Sequence, residues 1–299
     1  MGGKQLLEKL ISFYDNNHRK LIIIPAILLV FALVQISYQT ATKGDFINRG
    51  ITLKGGVTIT IPSASISDIE TLRNTIKTSF PQNEINLRTI SVAGEQSGIV
   101  IESDFELTDE KSVNRTVDLV SRFAGTKTED YSVEGIGSSL SSSFFKEVAF
   151  ALLLAFLFMS IVVVITFRTP IPSAAVILSA FADIIVTVAI INLTGMKLGA
   201  GAIAAFLMLI GYSVDSNILL TAKVIRTKEG SFVERVHRAL RTGLMMTGTT
   251  LAAVTVAIIL SQSDTIRQIM IILVVGLIVD LFNTWITNVT ILRWYTERK

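Results

Sequence analysis

Five apolar runs crowd the second half of this chain, approximately Val148–Phe167, Ala174–Asn192, Leu198–Ala222, Leu244–Leu260 and Ile266–Leu292. Each approaches or exceeds the ~20 residues that an α-helix needs to cross a bilayer. Within lipid the backbone must satisfy its own hydrogen bonds, so such runs fold as helices. A sixth run, Leu21–Tyr38, lies near the start. Basic residues precede it, as in a signal peptide, but no clear A-x-A site comes after it, and it reads as an uncleaved span. Half of the 299 residues are hydrophobic and the mean hydropathy is +0.58, values typical of membrane bundles.

Residues 39–143 have a different character. Val57, Ile59 and Ile61 alternate as in a strand, and Ile66, Ile69, Leu72, Ile76 and Phe80 recur at helical spacing behind Ser65 or Ser67 as a cap. Ile85, Leu87 and Ile90 predict a second strand, AGEQSG a turn and GIVIE a third strand. Thr108 or Asp109 can cap a helix through Val113, Val117, Val120 and Phe123, and KTEDYSVEG predicts a fourth strand. The order β-α-β-β-α-β is the ferredoxin-like split arrangement. The block has ten Lys and Arg against fourteen Asp and Glu, so it lacks the basic stripe of a nucleic-acid binder. GIGSSLSSS, Gly135–Ser143, reads as a flexible link into the second span.

The predicted fold is therefore a membrane all-α bundle of six transmembrane helices with one α+β ferredoxin-like domain between spans one and two. The predicted parts are an amphipathic segment 1–20, a first span 21–38, the domain 39–143, spans two to six within 144–292 and a tail 293–299. Phe232, Val236, Ala239 and Leu240 share one face of a predicted interfacial helix, 229–243. Fourteen Lys and Arg flank the spans on the side of the chain termini, against Lys197 and Arg267 on the other. The positive-inside rule then makes both termini cytoplasmic and the 39–143 domain extracytoplasmic, in a multi-pass protein of the cytoplasmic membrane.

Three acids fall inside the spans: Asp183, Asp215 and Asp280. Carboxylates at such depth are costly and mark ion or proton pathways, or else act as hydrogen-bonded glue between helices. Asp215 sits in LIGYSVDSNILLTAKVIR with Ser213, Ser216 and Asn217 close by, the strongest local sign of a pathway. Asp280 has Asn283 and Thr284 as local partners, which favours the structural reading there. Arg238 and Arg241 are candidate cations for the acids, and Thr247, Thr249 and Thr250 can extend a hydrogen-bonded path. With no cysteine, only His18 and His237, and no nucleotide loop or nucleophile arrangement, the sequence supports neither a metal site nor a cofactor nor bond-breaking enzymology. Energy must then come from a gradient or a partner.

FADIIVTVAIINLTGMKLGAGAIAAFLMLIGYSVDSN resembles the third and fourth spans of the SecD/SecF protein-export family, relatives of the RND transporters. EGIGSSLSSSFFKEVAFALLLAFLF resembles the start of that family's second span, LKGGVTI its Gly-Gly strand, and RTGLMMTGTTL its threonine-rich fifth span. The pattern is similar to the SecF branch, and Val214-Asp215-Ser216-Asn217 is spelled as in archaeal members. The resemblance implies a SecD partner and action beside the SecY translocon on an unfolded polypeptide, and the candidate ion pathway read from the residues comprises Asp215, Asp183, Asp280, Asn217, Arg241 and Thr249. An RND-type small-molecule exporter and a purely structural translocon scaffold are the competing readings.

Overall fold

The computed structural model describes residues 21–62, 68–92, 95–106, 108–124, 131–227, 229–261 and 263–298. The amphipathic segment 1–20, the caps Ser65 and Ser67, and Lys127–Asp130 of the fourth predicted strand lie outside them. The chain forms two compact units: Met1–Asn48 with Ala151–Met196 and Gly201–Lys299, and Arg49–Phe150 with Lys197–Ala200.

In the second unit, a short helix α1 (Ile51–Lys54) leads into β1 (Gly56–Pro62), and then come α2 (Ile69–Ser79), β2 (Ile85–Val92), β3 (Glu95–Ser103), α3 (Glu110–Ala124) and β4 (Ser132–Ile136). The strands pair antiparallel in the order β2-β3-β1-β4. Alternation decides which face is inside: Val57, Ile59 and Ile61 of β1 and Ile99 and Ile101 of β3 are buried against Leu72, Ile76, Val113, Val117 and Val120 of the two helices. Asp68 caps α2 by accepting from Thr71 N at 3.0 Å, and Asp109 accepts from Ser112 N at 3.2 Å. Residues 95–98 of the predicted turn belong to β3, and the Gly135–Ser143 link is half strand and half helix. Gly135 pairs with Val57, and the helix begins at Ser138.

The segment Lys197–Ala200, between two long helices, belongs to this unit. Leu198 O accepts from Gly50 N at 2.8 Å, and Ala200 N donates to Thr52 Oγ1 at 3.0 Å. Glu84 lies 2.7 Å from Lys197 Nζ and 3.0 Å from Lys54 Nζ. Burial pushes the Glu84 carboxyl up, but hydrogen bonds and charge from the two lysines outweigh it and hold it below the usual range. A depressed carboxyl stabilises the fold above the unfolded value of about 4.3 and loses that contribution as pH falls through the lower folded value. The site is half exposed, so Glu84→Gln is expected to cost under ~1 kcal/mol. Hydrogen exchange at Lys197–Ala200 should rise above pH 5 in that variant and match the parent in strong acid.

The other unit holds the long helices. Among the described residues, six helices are long and apolar enough to cross a membrane. They are α4 (Ile23–Lys43), α5 (Ser138–Phe167), α6 (Pro170–Leu193), α7 (Ala200–Arg226), α8 (Phe232–Leu260) and a final helix in three parts: α9 (Asp264–Phe282), a π-helical turn (Asn283–Asn288) and α10 (Val289–Glu297). Pro170 opens α6, where its missing N–H costs nothing. Ser231 and Glu234 form a capping box at the start of α8, and residues 232–243 of the predicted interfacial helix 229–243 run on into the span as one continuous helix. No proline interrupts the run from Phe232 to Leu260. Helix α6 is the most buried, with small residues Ala175, Ser179, Ala180, Ala182 and Ala189 turned inward, and it packs against α4, α9, the π-turn and α10. Large apolar side chains of α4, α5 and α8, such as Phe31, Leu153, Ile165, Met245 and Ile259, face outward as lipid contact requires.

Candidate ion pathway

The site is a column of buried polar side chains between α6, α7 and the last helix. On α7, Ser213, Asn217 and Thr221 are spaced four apart and therefore share one face. Asp183 of α6 is fully buried and accepts from two helices: Ser213 Oγ donates to its Oδ2 at 2.5 Å, and Asn283 Nδ2 donates to its Oδ1 at 2.6 Å. Asp280 of α9, also fully buried, neighbours Asp183. Its Oδ1 accepts from Thr284 Oγ1 at 2.9 Å. The column continues through Asn217, whose Nδ2 donates to Ser213 O at 2.8 Å and whose Oδ1 accepts from Asn288 Nδ2 at 2.6 Å. Thr221 closes it, accepting from Asn288 at 3.4 Å.

The carboxyl oxygens can be counted. Ser213, Asn283 and Thr284 supply donors to three of the four, and the fourth, Asp280 Oδ2, has none among the described residues. Ser216 faces the same carboxyl group, but its hydroxyl donates to Tyr212 O at 3.1 Å. Two adjacent buried carboxylates repel each other strongly. One proton between them removes that repulsion and gives Asp280 Oδ2 its missing partner.

Asp215 lies elsewhere. It is two residues from Ser213 and from Asn217, so it projects from the opposite side of α7, and its side chain is exposed beside Gly211 and Tyr212. The predicted cations are also apart from the pair. Arg238 donates to Glu229 O at 2.7 Å, and Arg241 is exposed. Thr249 is exposed and gives its hydroxyl to Met245 O and Met246 O of its own helix. The structure therefore joins Asp183, Asp280 and Asn217 in one network and places Asp215, Arg241 and Thr249 outside it. Asn288 and Thr221 are network members that the sequence alone did not single out. The Ser213–Asn217–Thr221 spacing was a usable signal for Thr221.

Residues 116–298 match the family described as "Protein export membrane protein SecD/SecF, C-terminal". The chain is 35% identical over 291 residues to the protein-export membrane protein SecF of Methanolacinia petrolearia, covering 95% of this chain and 97% of that one. It is 34% identical over 301 residues to the protein of the same name from Pyrococcus furiosus, covering 98% and 96%. Among solved structures it is similar to SecDF, described as a translocon-associated membrane protein, from a Thermus species. There the TM-score is 0.71 at 20% identity, over 95% of this chain and 38% of the SecDF chain.

Proposed function

We propose, from the premise that this chain belongs to the SecD/SecF family of protein-export membrane proteins, that it is the SecF-type subunit of a SecD–SecF complex. In this reading the complex assists SecY-dependent passage of unfolded polypeptide across the cytoplasmic membrane and draws on an ion gradient. The protein is then a transport component and not a bond-breaking enzyme. The observation that carries the ion coupling is the Asp183–Asp280 pair, buried between three helices of membrane length. One elementary charge moved through 100 mV releases about 2.3 kcal/mol, enough to bias two conformations.

A SecD partner is supported by Asp215. A carboxylate on the outward face of a membrane-length helix costs roughly 3 kcal/mol or more if lipid covers it. A partner helix that offers a donor or a cation relieves that cost. The β-α-β-β-α-β unit with strand order β2-β3-β1-β4 supports a ferredoxin-like domain, and the Lys and Arg asymmetry supports its placement outside the cell with both chain ends in the cytoplasm.

Affinity purification of the tagged protein from mildly solubilised native membranes tests the assignment. A SecD homologue is expected to be recovered with it in near-equal amount, and recovery should fall when Asp215 is replaced by Leu. A homodimer without any Sec component overturns the assignment and favours a small-molecule exporter.

A further inference from the structure

The π-helical turn Asn283–Asn288 is unusual in what its side chains touch. π-Turns are rare single-turn features, often found at functional sites. Here every other long element of the column meets this one turn. Asn283 reaches α6 through Asp183, and Asn288 reaches α7 through Asn217 and Thr221. Thr284 reaches back to Asp280. Trp285 lies on α8, so close that a Cβ added to Gly243 would stand 2.3 Å from its Cζ2. Asn283, Thr284, Trp285 and Asn288 are all buried.

We infer that this turn is a switch: it senses the protonation of the Asp183–Asp280 pair through Asn283 and passes the change to α8 through Trp285. The chemistry is local. Asn283 Nδ2 is a donor and needs Asp183 Oδ1 as an acceptor. A proton taken up from water and shared between Asp183 and Asp280 removes the charge that makes Asp183 Oδ1 a strong acceptor, and the bond between α6 and the turn weakens. The wide turn, its anchor to α6 weakened, then relaxes toward ordinary α-helical pairing. That change rotates the turn and the helix beyond it, withdrawing Asn288 from Asn217 and the indole from Gly243.

The groups around the pair leave it as the proton acceptor. From α7 it meets Ser213 and Ser216, and from the last helix Asn283 and Thr284. Charged groups on the surrounding elements are engaged elsewhere: Lys223 with Thr242, Arg235 with Thr227 O, Arg238 with Glu229 O, and Arg293 with Glu297. Asp215 faces outward. Helices α4 and α5 bring apolar groups to α6, among them Ala32 and Val163.

The inference rests on the ion-coupled reading above, but its test does not use export. The chain has two tryptophans, so Trp294→Phe leaves Trp285 as the only reporter. In full-length protein in lipid nanodiscs, Trp285 emission is expected to move to longer wavelength along a single-proton curve as pH falls. Asp183→Asn should abolish that movement, and Asp280→Asn serves as the second variant should the first fail to fold. Emission that does not change with pH, or that changes equally in both variants, overturns the switch. If Trp285 titrates but export ignores the gradient, the coupled reading falls and the switch stands. A silent Trp285 in a protein whose export depends on the gradient overturns the switch alone.

Discussion

Asp183→Asn is expected to leave the protein folded and partnered while removing the part of export that depends on the ion gradient. The amide is nearly isosteric with the carboxyl group. Its oxygen still accepts from Ser213 or Asn283, and its N–H can donate to Asp280 Oδ2, which otherwise lacks a partner. Thermal stability should therefore change little. What is lost is the exchangeable proton. With one charge per cycle at 100 mV, about 2.3 kcal/mol of bias disappears, a factor of roughly 50 between the two conformations. Reconstituted vesicles with an imposed gradient, compared with the same vesicles after an ionophore, read this directly. Asp183→Leu should behave differently. It strands Ser213, Asn283 and Asp280 in a dry interior and is expected to cost about 3 kcal/mol or more of stability. If Asp183→Asn exports like the parent under a gradient, the pair is glue between helices and the coupled model fails.

The same pair shows what the sequence makes legible and where it stops. The apolar runs identified six membrane-length helices because length and composition alone decide that. Strands β1, β2 and β3 are readable because burial on one face forces alternation. Thr284 bonds to Asp280, as its spacing of four on a helix suggested. Asn283, the other expected local partner, instead bonds to Asp183, a hundred positions away in sequence. No local pattern encodes that contact. Polar residues gather around Asp215 in the sequence. Helix geometry, at about 100° per residue, sends Asp215 one way and Ser213, Asn217 and Thr221 the other. The π-turn has no sequence signature, since Asn, Thr, Trp, Ile, Thr and Asn would also form an α-helical turn. Its contacts with Asp183, Asn217 and Gly243 come from elements distant in sequence.

Gly56→Ala is expected to be the most damaging small substitution in the second unit. Gly56 opens β1 at φ +141°, and a Cβ there would stand 2.2 Å from Ser103 O, a backbone atom that cannot swing aside. Ser103 is the residue that pairs with Val57 at this end of the sheet and with Ile85 on the other side. Relief must therefore come from separating β1 from β3, the two central strands. Backbone strain and lost pairing together are expected to cost about 3 kcal/mol. Gly44, which ends α4, is the matched control. Its φ is +77°, but nothing lies within 4 Å of the Cβ position, so Gly44→Ala pays only the conformational penalty of about 1 kcal/mol. Hydrogen exchange on the full-length protein should show β1 and β3 losing protection together in Gly56→Ala, with the membrane helices unaffected. Equal effects of the two substitutions would mean that β1 and β3 can part at Ser103 without cost. The Gly-Gly pair would then serve backbone freedom alone and not the close approach of the central strands.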